Sequence, residues 1–228
     1  MIANIEIIPT ILVNTQSEFE QRLALVEQHV HTVQVDILDG SMFNQSSWFD
    51  PEVVGSYKTN LRFELHLMVE NPLPIIDAWA KHVPGTVRAI IHAELDRPLG
   101  TLIELIHQNA KLEAGIALNP ETPIDEIHHI IEHLDEILVM GVHPGVSGQG
   151  LGDSRCGISD TVIFEKIQRI HDRYPNIILG ADGGVDLETL PEFVRHGVGR
   201  LNIGSAIFET NDPVDSIRKL QELAINVI

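Results

Sequence analysis

The chain has almost no cysteine, few cations and no long apolar stretch, and each shortage removes a class of answer. Cys156 is the only cysteine among 228 residues, which excludes an internal disulfide and a thiolate-based zinc site. Lys and Arg number 15 against 33 Asp and Glu, a formal net charge of −18, and no basic cluster offsets it. Such a surface repels nucleic acid and anionic lipid, so neither is an expected partner. No run approaches about 18 apolar residues, so no membrane span is expected. The first residues, MIANIEIIPTIL, lack the basic start and long apolar stretch of a signal peptide. The expected location is therefore cytoplasmic, by default. An anionic ligand on such a chain would have to be held by local N–H dipoles rather than by overall charge.

What is present is a regular alternation. Short β-branched runs recur about every 25–30 residues, each followed by a stretch with apolar residues three and four apart. The runs are Ile5–Leu12, Val33–Leu38, Arg62–Met68, Val87–His92, Leu112–Leu118, Glu136–Val142, Ile177–Ala181 and Arg200–Ile203. Helices are expected at Ser17–His29, Pro51–Tyr57, Leu73–His82, Leu99–Asn109, Pro123–Glu132, Asp160–Tyr174, Leu187–His196 and Pro213–Asn226. Asp50-Pro51 and Asp212-Pro213 place an acidic cap before a proline at the first helical position. Asn176, Gly85 and Gly197 sit where helices should stop. No linker composition divides residues 1–228, so one domain is expected. Eight strand–helix units without a hairpin signal point to an α/β fold with a parallel closed sheet, a (β/α)8 TIM barrel. The rival, an open doubly wound sheet, lacks a G-x-G-x-x-G after the first strand.

In a barrel, functional groups gather at the C-terminal ends of the strands. In strand two, Gln34 and Asp36 share a face by the period of two. A carboxylate inside a Val/Ile-rich strand is costly unless paired, protonated or bound to metal. Asp39, before Gly40, reads instead as a turn cap. Strand three puts Glu64 and His66 on one face. A lone strand histidine is usually a satisfied core residue, but one beside a carboxylate makes a metal or proton-transfer pair. Asp182 ends strand seven before Gly183 and Gly184. Asp36 and Asp182 come from nearly opposite sides of the ring and would flank one substrate carbon, as two-base proton transfer requires. Three glycine-containing loops follow late strands, at Pro144–Gly150, Asp182–Gly184 and Gly204-Ser205. Late βα loops of barrels bind phosphate through backbone N–H groups.

At these residues the sequence resembles the ribulose-phosphate 3-epimerase family. The resemblance is carried by Pro9-Thr10-Ile11-Leu12, Val35–Gly40, His66-Leu67-Met68-Val69, His92-Ala93-Glu94 and Gly115–Pro123. It continues through Val139-Met140, Pro144-Gly145 with Gly148-Gln149, Asp182-Gly183-Gly184 and Gly204–Phe208, in order and spacing. It implies an isomerase that inverts C3 of a ketose phosphate, D-ribulose 5-phosphate to D-xylulose 5-phosphate, without an organic cofactor. Asp36 and Asp182 would be the acid/base pair. A divalent metal (Zn, Fe, Mn or Co) would be held by Asp36, His66 and Asp182. Thr10, Met68, Met140, Gly145, Ser147, Gly148, Gly183, Gly184, Gly204 and Ser205 would bind substrate and phosphate. A homo-oligomer is implied as well.

The sequence also departs from that family. Gln34 stands where the family has a further metal-binding histidine, and an amide is a poorer zinc ligand than imidazole. Thr10 replaces a serine and Leu38 a methionine. The loop after Gly40 reads Ser41-Met42-Phe43-Asn44-Gln45, Ser147 replaces a glycine, and Leu151–Asp160 is extra or rearranged. Two alternatives follow: action on another phosphosugar, such as a hexulose phosphate, or a barrel that binds a phosphosugar without catalysis. His143, in the loop after strand six, is a further candidate, though a loop histidine beside proline is commonly just solvated.

Overall fold

The computed structural model describes residues 5–145, 148, 150–152 and 158–227. Ser147, Cys156 and the middle of the Leu151–Asp160 stretch lie outside them. Eight parallel strands close in chain order: β1 (Glu6–Ile11), β2 (Thr32–Leu38), β3 (Arg62–Met68), β4 (Thr86–His92), β5 (Glu113–Leu118), β6 (Glu136–Met140), β7 (Ile178–Asp182) and β8 (Arg200–Ile203). The ring is sealed by β1 against β8, with Ile8 opposite Asn202. This is the TIM barrel expected from the alternation.

The outer helices are α1 (Gln16–Val26), α2 (Pro51–Gly55), α3 (Leu73–His82), α4 (Leu99–Leu105), α5 (Asp160–Arg173), α6 (Leu190–Arg195), α7 (Ser205–Phe208) and α8 (Pro213–Val227). Their starts follow from caps written in the sequence. Thr15 and Glu18 form a reciprocal capping box on α1, and the Asp50 carboxylate accepts from the Glu52 and Val53 N–H groups of α2. The apolar stripes of these helices cover the outward faces of the strands, burying Phe19, Trp79, Ile163, Ile167 and Phe193.

One expected helix is absent. Residues 123–132 form two short 3-10 turns, Ile124–Ile127 and Ile131–His133. The His128 ring Nδ1 lies 2.6 Å from the Asp125 carbonyl, which a continuing α-helix would give to the backbone of residue 129; the side chain thus competes with the helix. Ile127, Ile130 and Ile131 are still buried, so the apolar period was real but served tight turns, in which residues three apart align. The expected Leu99–Asn109 helix changes to a π-turn at Ile106–Ala110, ended by Lys111 at φ +60°. α1, α2 and α6 are shorter than expected, and the short α7 after β8 was not anticipated.

The inside of the barrel differs from its outside. A small apolar cluster, Ile90, Ala117, Leu138 and Met140, stands apart from the main core. Below it, toward the N-terminal ends of the strands, the interior is ionic. Arg88 contacts buried Glu64, with Glu136 at 3.1 Å and Glu113 at 2.9 Å. Arg200 reaches Glu136 at 2.6 Å. Two fully buried carboxylates are thereby matched by two guanidiniums, the condition under which charge survives burial.

Candidate active site

Strand register brings the expected acids together. Asp36 on β2 is paired with His66 on β3, and Asp182 ends β7 opposite Asn202 on β8. Asp36 Oδ1 lies 3.0 Å and Asp182 Oδ2 3.5 Å from His66 Nδ1. The Gln34 Nε2 donates to both acids, at 2.9 Å to Asp36 and 2.6 Å to Asp182. All four side chains are buried or nearly so. Asp36, His66 and Asp182 form the floor of a cavity whose wall and rim include Thr10, Met68, Met140, Gly145, Gly148, Gly183, Gly184, Gly204 and Ser205; Gln34, fully buried, does not line it. Apart from Gln34, the described residues expected to act as acids, metal ligands or substrate and phosphate binders all line this one cavity.

Burial in this floor shifts proton affinities. Burial pushes Asp36 up to about 6, helped by the charge of Asp182 and opposed by His66 and Gln34. Burial alone would lower His66, yet its hydrogen bonds to Asp182 and Asp36 outweigh this and raise it to about 10. An acid poised near neutrality beside a second acid is what proton abstraction and return require.

Asp36, His66 and Asp182 each offer a ligand atom, and these atoms lie within 4.8 Å of one another. Two carboxylate oxygens and one imidazole nitrogen suit a divalent metal. Gln34 is different: the atom it turns to this centre is an N–H donor, which has no lone pair for a metal.

Around the floor lie groups the sequence reading did not assign. His66 Nε2 is 2.9 Å from His92 Nε2, and His92 Nδ1 is 3.0 Å from Glu94 Oε2. Glu94 Oε1 in turn accepts from the Asn119 N–H at 3.0 Å and from the Thr122 hydroxyl. Burial would raise Glu94, but bonds from His92, Thr122 and Asn119 outweigh it and hold it down at about 2. Burial pushes His92 down. An ionised carboxylate only accepts, so His92 carries its proton on Nδ1 and receives one from His66 Nε2. His92 and Glu94, two apart at the end of β4, repeat the pattern of Glu64 and His66, and that repetition was the available signal. Asn202, a polar residue inside apolar β8, was another. His143 pairs with Glu121 at 3.5 Å on the cavity wall.

The altered loop after β2 serves as a brace. The Ser47 hydroxyl donates to the Asp36 carbonyl at 2.7 Å and accepts from the Leu38 N–H at 3.0 Å, fixing the strand end that carries Asp36. The Phe43 ring meets the His92 ring edge-on, centroids 6.0 Å apart. Asp39 caps the turn as expected, accepting from the Ser41 N–H at 2.9 Å. At the opposite rim Gly183 and Gly184 have φ of +92° and +72°. A Cβ on Gly184 would stand 2.6 Å from the Leu151 Cα, so only glycine allows the loops after β6 and β7 to meet there. After β8, α7 opens at Ser205, directly behind Gly204.

The chain matches the model of the ribulose-phosphate 3 epimerase family over residues 6–208. It is 31 % identical over 193 residues to the ribulose-phosphate 3-epimerase of Bacillus subtilis (strain 168), spanning 83 % of this chain and 85 % of that protein. To the ribulose-phosphate 3-epimerase of Treponema pallidum (strain Nichols) it is 30 % identical over 203 residues, 88 % and 89 % of the two chains. Among solved structures, 3-hexulose-6-phosphate synthase from Salmonella typhimurium aligns with a TM-score of 0.74 at 12 % identity, covering 98 % of this chain and 100 % of the other. That likeness shows the fold alone.

Proposed function

Because the chain belongs to the ribulose-phosphate 3-epimerase family, we propose that it inverts C3 of D-ribulose 5-phosphate to give D-xylulose 5-phosphate. One of Asp36 and Asp182 removes the C3 proton, and the other returns one from the opposite face. The observation that carries this reading is the meeting of both carboxyls at His66 Nδ1, within 3.5 Å, on the floor of a cavity with glycine loops at its rim.

The two ends of the substrate are served differently. With a net charge of −18, phosphate attraction has to be local. Gly183, Gly184, Gly204 and Ser205 line the cavity, and their backbone N–H groups would supply that attraction. At the sugar end, Met68 and Met140 are buried beside the acids and exclude water from the reacting carbon. The raised Asp36 is a competent base near neutral pH. Asp36, His66 and Asp182 would hold a divalent metal. When bound, it supplies Lewis-acid stabilisation of negative charge developing on the substrate oxygens.

The test is isotope exchange. Purified protein is incubated with D-ribulose 5-phosphate in D₂O, with added divalent metal or with chelator, and deuterium entry at C3 is followed. Exchange is expected, and D36N or D182N lowers it by a factor of at least about 100. No exchange by the unmodified protein under any metal condition refutes the reading.

A further inference from the structure

Gln34 is joined to the bottom of the barrel by an unbroken hydrogen-bond chain, and the chain has a direction. It begins at Arg88, 3 % exposed, whose guanidinium can only donate. Arg88 donates to Glu64 Oε2. Glu64 Oε1 accepts from Asn202 Nδ2, and the same nitrogen donates to Gln34 Oε1 at 2.6 Å. Gln34 Nε2 then gives its two hydrogens to Asp36 and Asp182, and lies 3.3 Å from the Thr10 hydroxyl.

Each link sets the next. A carboxylate fixed against Arg88 leaves only acceptors for Asn202, so Asn202 turns its NH₂ inward. Its Oδ1 then accepts no hydrogen bond from any described residue, which is costly for a buried acceptor. The reverse orientation is worse, because it sets the amide oxygen against the Glu64 carboxylate. With an NH₂ opposite it, Gln34 in turn presents oxygen to Asn202 and nitrogen to the two acids. Rotating Gln34 alone would oppose donor to donor at Asn202 and oxygen to two carboxylates at the other end. Amide orientation is therefore decided by the network and not by the site.

We propose that Arg88, Glu64 and Asn202 are positioning residues that hold Gln34 as a hydrogen-bond donor to Asp36 and Asp182, so that Gln34 is excluded from metal ligation and competes with a bound divalent cation for the same carboxylate oxygens. The inference rests on Asp36, His66 and Asp182 forming a divalent-cation site. It is tested by binding, so it can fail while the exchange experiment above succeeds, and the reverse. It makes the strength of metal binding depend on the end of the barrel where the strands begin. A polar chain beginning at Arg88 determines how many ligands the opposite end offers.

A nearly isosteric exchange reverses the chain without changing net charge. In E64Q/N202D, Arg88 donates to the new amide oxygen at 64, whose NH₂ donates to the new carboxylate at 202. That carboxylate demands a donor, so Gln34 turns Nε2 toward it and Oε1 toward the acids. The Kd for Mn²⁺ alone is measured from the electron paramagnetic resonance signal of the free ion. The experiment is run at pH 8. Unmodified protein, Q34L, E64Q/N202D and the triple variant are compared, with circular dichroism reporting folding. Q34L is expected to bind Mn²⁺ within about threefold of the unmodified protein, or more tightly. E64Q/N202D is expected to bind at least about tenfold more tightly, a gain the triple variant loses. A weakening of more than about threefold in Q34L would show that Gln34 already ligates the metal and overturns the proposal. So does an unchanged Kd in folded E64Q/N202D, and so does the absence of binding by every variant. Should the double variant not fold, Q34L decides alone.

Discussion

Replacing Glu94 with glutamine tests how the floor of the site is held. Glu94 is 23 % exposed at its side chain and accepts from three donors. These bonds outweigh its burial and move it from 4.5 to about 2. At about 1.4 kcal/mol per tenfold change in proton affinity, that difference corresponds to roughly 3 kcal/mol, and about 2–3 after allowing for solvent screening at the exposed edge. The sign follows from linkage. The unfolded carboxyl binds its proton near 4.5 and the folded one near 2, so between these values the unfolded state holds more protons. The contribution is complete above pH 4.5 and is lost as pH falls toward 2. Guanidinium unfolding of both proteins at a series of pH values should therefore give a gap of about 2–3 kcal/mol at pH 7 that closes with acid. A gap independent of pH, or none, refutes the assignment. The variant should also alter His66. Asn119 and Thr122 call for an acceptor, so the new amide turns its oxygen to them and its NH₂ to His92 Nδ1. His92 then donates at Nε2, and His66 loses the acceptor for its Nε2 proton. Nitrogen-15 imidazole shifts should report both changes of tautomer.

Gly184→Ala forces a side chain into backbone at φ +72°, with its Cβ 2.6 Å from the Leu151 Cα. It should raise KM for the phosphorylated ketose at least about tenfold with a smaller effect on kcat, by steady-state assay. An unchanged KM would remove the loop after β7 from the phosphate site. Trp79→Phe tests the outer core. Trp79 is fully buried and its Nε1 donates to no described residue, so losing that group offsets the small void left. Denaturant midpoints should show a loss under about 1.5 kcal/mol, against 3–5 for alanine.

The barrel was legible because its two periodicities are local. All eight β-branched runs became strands with boundaries shifted by no more than two residues, since a strand buried on both faces has little choice of composition. The segment 123–132 was misread for the same reason that the others were read well. Its isoleucines carry the right spacing, but the decision between α and 3-10 was made by one ring, His128, and its bond to the Asp125 carbonyl. No apolar pattern encodes such a bond. The short α7 was missed because four residues are too few for a period to show.

At the site, the acids were legible because a carboxylate in an apolar strand is improbable without a task, and Asp36, His66 and Asp182 each lie at a strand end. What composition could not supply was direction. Gln34 is one residue type with two faces, and reading it as a weak ligand or as a donor depends on Asn202, 168 positions away in sequence. Asn202 depends on Glu64, and Glu64 on Arg88. On the other side of His66, direction runs from Glu94 through His92 in the same manner. The two chains end on the same pair of acids with opposite consequences. Glu94 and His92 leave the Nδ1 of His66 facing the carboxylates with a proton it can give up to expose a lone pair, whereas Arg88, Glu64 and Asn202 turn toward them a Gln34 amide nitrogen that has no lone pair to offer. The chemistry of the floor is thus a balance between two polarised networks, each anchored in an ion on a different part of the barrel.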